Sequence, residues 1–142
     1  MIRSSINAPN PDSISTKLHG GLEQLLLDEP DLEFAILVGS RADGTHHPDS
    51  DWDIALAWSP QLDWMTGLGK TKTLRSKMAR AMDVAPDKID LIDLARSSLA
   101  MRANVAESGI PLKGDDSLAW AHFLTRTWRE LEDFYWEQAH AT

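Results

Sequence analysis

The chain has 142 residues, 42% of them hydrophobic, and no cysteine, so it is long enough for one domain with a real core and carries neither a disulfide framework nor thiolate chemistry. Its 14 basic and 22 acidic residues leave a net charge of −8, which argues against long nucleic acid as a substrate, because phosphate neutralisation supplies most of that affinity. No run approaches the ~20 apolar residues of a membrane span. The opening residues 1–9 lack an apolar core of signal-peptide length, and a cytoplasmic protein is expected.

The elements alternate between helix and strand. Residues 1–10 read as a flexible polar tail, and 11–142 as a single domain. A helix is predicted over 12–28, with Leu18, Leu22, Leu25 and Leu26 on one stripe and Pro30 ending it. A strand over 33–38 runs into Gly39-Ser40 and a short helix, and His46-His47-Pro48 form a loop. A second strand covers 53–58. A helix over 62–83 follows, weakened by Gly67 and Gly69. A strand over 88–94, a helix from Ser97 or Ser98 to about Glu107, and a short extended stretch over 110–112 come next. The last helix spans about 116–139. The expected architecture is α/β, a small mixed sheet flanked by helices on one face.

The chemistry concentrates in residues 39–53. Gly39 has no Cβ, so backbone can come close to a phosphate there. Ser40 adds a hydroxyl at a possible helix start, and Arg41 a permanent forked cation. Asp51 and Asp53 alternate along a strand and so share a face, with Cα atoms roughly 6.5–7 Å apart. Two carboxylates at that spacing suit Mg²⁺, which takes a couple of carboxylates together with substrate phosphates. A lone Gly-Ser is ordinarily just a turn, and a lone Asp-x-Asp a solvated loop or cap. Their combination at the ends of two apolar strands points to nucleotidyl or phosphoryl transfer. A third carboxylate lies in the apolar run 88–94, where Asp90 and Asp93 face opposite ways. Burying either is costly without a metal or hydrogen bonds, and Asp90, nearer the middle of the run, is the better candidate.

Gly39-Ser40, ten residues, then Asp51-x-Asp53 resembles the signature of the DNA polymerase β-like nucleotidyltransferases, and the short flanks resemble their minimal nucleotidyltransferase (MNT) branch. The resemblance runs from about Leu18 to Gly114 and implies a palm-like core with a C-terminal helix. It implies that Asp51, Asp53 and Asp90 are catalytic and bind two Mg²⁺ ions. Gly39, Ser40, Arg41, Asp51 and Asp53 would hold the triphosphate of ATP. Asp43 stands where many members carry a second Arg, and Trp52 is bulkier than the usual aliphatic residue, its side chain expected in the core. Minimal nucleotidyltransferases of this size pair with HEPN-domain ribonuclease toxins, and the resemblance implies an antitoxin that moves AMP from ATP to a tyrosine of such a toxin. Two other readings stand beside it. One is a small-molecule nucleotidyltransferase of the aminoglycoside-modifying kind, although the stretch after Leu94 is short for a substrate domain. The other is an antitoxin that acts by binding alone.

Other features are less specific. Adjacent His46 and His47 cannot easily share one metal face, and read as loop or nucleotide-edge residues. The basic stretch 70–80 reads as a solvated helix face. In the last helix, Ala121, Leu124, Trp128, Leu131 and Tyr135 form the stripe expected to pack on the sheet. Trp120, Phe123, Phe134 and Trp136 are surplus to it, and either wrap the domain or form a second buried surface against a partner or another copy.

Overall fold

In the computed structural model, which describes residues 21–141, the order is α1 (Leu22–Leu27), β1 (Leu32–Val38), α2 (Ser40–Asp43), β2 (Trp52–Trp58), α3 (Trp64–Met82), β3 (Ile89–Asp93), α4 (Leu99–Ser108), β4 (Ile110–Lys113) and α5 (Leu118–His140). The expected tail 1–10, and the first part of the expected helix 12–28, lie outside the described residues. The sheet order is β3-β2-β1-β4. β1 pairs antiparallel with both β2 and β4, and β2 pairs parallel with β3. A parallel pair needs a long crossover, and α3 supplies it.

Helices cover both faces of this sheet, not one. Side chains alternate along each strand, so the apolar residues of β1 and β2 sort into two cores. Ala35, Leu37, Ile54 and Leu56 pack with Leu22 and Leu26 of α1 and with Leu74, Met78 and Met82 of α3. Phe34, Ile36, Val38 and Ala55 pack with Val105 of α4 and Phe123 of α5. The unbroken apolar run of β1 is what a strand buried on both faces requires.

Side-chain caps start the three long helices. Asp63, Ser98 and Ser117 accept hydrogen bonds from the N–H groups of Thr66, Met101 and Trp120. Gly67 and Gly69 do not interrupt α3, whose buried Leu74, Met78 and Met82 outweigh a propensity cost of about 1 kcal/mol per glycine. Residues 88–94 are less regular than expected. Pro86–Lys88 form a 3₁₀ turn before β3, and Asp93 caps another, Leu94–Arg96. The extended stretch from Ile110 is a full edge strand. Its Lys113 ammonium donates to the carbonyls of Leu26 and Glu29, both at 2.8 Å, and satisfies the end of α1.

The packing face of α5 differs from the expected stripe. Phe123 and Thr127 are the buried residues, with Trp120 and Leu124 beside them. Phe34, Trp120 and Phe123 form one aromatic cluster with ring centroids 5.0–5.4 Å apart. Ala121 is exposed, and so are Trp128 and Tyr135. The helix is turned by about one residue from that stripe, with Phe123 in the core shared by Phe34 and Val105. Beyond Leu131 every described residue of α5 is exposed.

Candidate active site

The two halves of the 39–53 pattern meet because β1 and β2 are antiparallel. Val38, the last residue of β1, pairs with Asp53 near the start of β2. Gly39 follows with φ 76° and ψ −160°, a conformation that is essentially glycine's own. A Cβ on Gly39 would run into Oδ2 of Asp53 and lie 3.3 Å from its Cγ. The turn backbone therefore rests directly against the Asp53 carboxylate. The half-buried Ser40 opens α2, a single turn that Gly44 closes with φ 84°.

β3 brings the third carboxylate. Asp90 pairs in register with Asp53 on the neighbouring parallel strand. In-register neighbours share a face, and adjacent strands are about 4.8 Å apart. Asp51, two residues before Asp53, belongs to that face by alternation. Asp53 is half-buried, while Asp51 and Asp90 are exposed. Burial, then the charge of Asp90, then that of Asp51 push the Asp53 carboxyl above its usual range. Asp93 lies three positions further along β3, and its carboxylate accepts from the Ala95 N–H at 3.1 Å.

Acceptor-only carboxylates are the kind of donor that suits a hard divalent cation. Among the described residues, no three His, Cys, Asp or Glu groups enclose an ion unaided. The set is an open one, which suits an ion whose remaining ligands come from phosphate oxygens and water.

Arg41, which the resemblance places among the phosphate contacts, is engaged within the protein itself. Its guanidinium lies over the Trp52 ring, 4.1 Å from the centroid. Nη2 donates to the carbonyls of Pro48 at 3.2 Å and Ser50 at 3.0 Å. Trp52 is buried in the α1/α3 core, on the other face of β2 from the carboxylates. The arginine is thus drawn to the ring and the loop. Asp43, in place of a second arginine, accepts from the hydroxyl and then the N–H of Thr45, which hold its carboxyl below the usual range. His46 and His47 are exposed on the loop.

Two hollows adjoin the sheet face that carries Asp53. A small one of about 110 Å³ lies between the Gly39 turn and α4, lined by Val38, Ala42, Asp43, Asn104 and Ser108. A groove of about 640 Å³ opens between the far end of β2, α4 and α5, with Arg102, His122 and Arg126 on its wall. None of the six motif residues lines the groove. Sequence reasoning missed it, since its residues come from five separate elements.

Residues 21–118 match the family described as polymerase beta, nucleotidyltransferase. The chain belongs to this nucleotidyltransferase family. The protein adenylyltransferase MntA of Shewanella oneidensis is 35% identical over 99 residues, or 67% of this chain. That match spans 66% of the relative's own length. Among solved structures, a toxin–antitoxin with AMP-PNP superposes with a TM-score of 0.63 at 29% identity, over 88% of this chain and 93% of that one. A complex of tri-AMPylated Shewanella oneidensis HEPN toxin with MNT antitoxin gives 0.60 at 25% identity, over 88% and 92%. This nucleotidyltransferase has no helix among its described residues long and apolar enough to cross a membrane.

Proposed function

We propose that this chain is a cytoplasmic antitoxin that inactivates a HEPN ribonuclease toxin by moving AMP from ATP to a toxin tyrosine. The observation that carries the reading is the convergence of Asp51, Asp53 and Asp90 on one face, with the Gly39 backbone packed against Asp53. Three like charges gathered at a glycine turn destabilise the protein by themselves and make sense with a cation and a polyphosphate. The likeness to a protein adenylyltransferase and to a complex holding an AMPylated toxin supplies the nucleotide and the acceptor.

In this reading the tyrosine oxygen attacks the α-phosphorus of ATP. An O–P bond forms, the bond from that phosphorus to the bridging oxygen breaks, and pyrophosphate leaves with the electron pair. Asp90, at the exposed edge of the face, accepts the tyrosine proton. The Gly39 turn and Ser40 seat the β- and γ-phosphates. Asp51 and Asp53, with Asp90, would hold two Mg²⁺ ions, which when bound neutralise charge on the leaving pyrophosphate.

The test uses purified protein, Mg²⁺, α-labelled ATP and the product of the neighbouring gene as candidate HEPN toxin, with Asp51→Asn/Asp53→Asn as control. Label on a toxin tyrosine only with intact aspartates supports the reading. Tight binding without transfer replaces it with inhibition by contact alone.

A further inference from the structure

The three carbonyls that precede Asp51 are each held by a cation. Arg41 Nη2 bonds the carbonyls of Pro48 and Ser50, and Lys88 Nζ bonds that of Asp49 at 3.1 Å. The two cations come from different places. Arg41 is the second residue of α2, next to Ser40, and Lys88 lies two residues before Asp90. Within the loop, Ser50 closes a turn onto His47, by N–H to carbonyl at 2.9 Å and by its hydroxyl accepting from the His47 N–H at 3.0 Å.

We infer that Arg41 is a positioning residue: braced on Trp52, it fixes the loop that delivers Asp51 to the carboxylate face and makes no contact with the phosphates itself. This deepens the proposed adenylyltransferase reading and rests on it. Among the described residues its buried Nε has no hydrogen-bond partner, and the guanidinium lies over a core tryptophan. Swinging to the carboxylate face would give up the ring contact and both carbonyl bonds. Trp52 projects from β2 between Asp51 and Asp53 and away from both, so one strand carries the carboxylates on one side and the brace on the other. A planar fork can stack and bond the carbonyls together, and an ammonium cannot. Lys88 plays the same part from the β3 side.

The test compares wild type with Arg41→Lys and Arg41→Met by two readouts that need no acceptor. Hydrogen exchange reports the loop amides from His47 to Asp51. Water-proton relaxation reports Mn²⁺ affinity in the presence of AMP-PNP. The brace predicts that both variants exchange these amides faster and lose Mn²⁺ affinity about 10–100-fold, as for other groups that orient metal ligands. AMP-PNP affinity at saturating Mn²⁺ should then stay within about threefold of wild type, because no phosphate contact is removed. Arg41→Lys keeps the charge, so it also serves if Arg41→Met fails to fold. The inference is overturned if Arg41→Lys behaves as wild type while Arg41→Met weakens AMP-PNP at saturating Mn²⁺, or if loop exchange is unchanged in both. Failure of wild type itself to bind Mn²⁺ with AMP-PNP would instead sink the adenylyltransferase reading. The exchange data would then still decide whether Arg41 braces the loop.

Discussion

Asp53 and Asp90 stand opposite each other on neighbouring parallel strands, two carboxylates in register on one face. Like charges placed so are destabilising by about 0.2–1 kcal/mol, and burial, then the charge of Asp90, push the half-buried Asp53 carboxyl up. Asp90→Asn should therefore raise the melting temperature in EDTA while abolishing transfer of AMP. In saturating Mg²⁺ and nucleotide the order should reverse, because only the wild-type carboxylates gain from the ion. Melting curves in both conditions, with a transfer assay, check this. A variant less stable than wild type in EDTA would show that the pair is not under repulsion.

Gly39→Ala should be far more harmful than Gly44→Ala, although both glycines have positive φ. At Gly44 a Cβ meets nothing within 4 Å, so that variant should cost only the conformational penalty of about 1 kcal/mol. At Gly39 the backbone is in a region almost closed to other residues, costing about 1–3 kcal/mol, and the new methyl would displace Asp53. Urea melts and transfer rates should separate the two: Gly44→Ala active, Gly39→Ala inactive even where it folds.

Much of this site was readable in the sequence. The apolar runs of β1 and β2 fix two strands, and their pairing brings Gly39 to Asp53. Local rules also marked Ser97 or Ser98 as a cap, and it is Ser98. Three features were beyond such rules. The sequence shows the charge of Arg41 but not the Trp52 ring and the loop carbonyls it rests against. The sides of the sheet depend on which helix returns to which face, and crossover topology decides that. In α5 the apolar count favours Trp128 and Tyr135, whereas the buried face includes Thr127, a residue that no hydrophobic pattern selects.

Arg102 of α4 and Glu130 of α5 form a two-pronged ion pair at 2.8 and 3.1 Å. Its hydrogen bonds, and then its charge, hold the Glu130 carboxyl below the usual glutamate range. A carboxyl depressed in the folded state adds stability above its unfolded pKa and loses it as pH falls through the folded value. The stability gap between wild type and Glu130→Gln should be present at pH 7 and close as pH drops below the ordinary glutamate range. The gap should be no more than about 1 kcal/mol, since solvent reaches the carboxylate. Urea titrations at pH 7 and at acid pH check it, and a gap that widens in acid would contradict the assignment.

The two halves of α5 should differ sharply in their response to truncation. Phe123 is 3% exposed and touches both Phe34 and Trp120, so Phe123→Ala should cost about 3–5 kcal/mol through lost burial and the cavity left behind. Tyr135 is 63% exposed and meets only Phe134 among the aromatic rings of the described residues. Tyr135→Ala should change the stability of the isolated chain by no more than about 0.5 kcal/mol. Denaturant melts of the two variants measure this directly. A large loss from Tyr135→Ala in the isolated chain would mean that the outer half of α5 is covered in solution, and gel filtration of wild type would then show whether a second copy covers it.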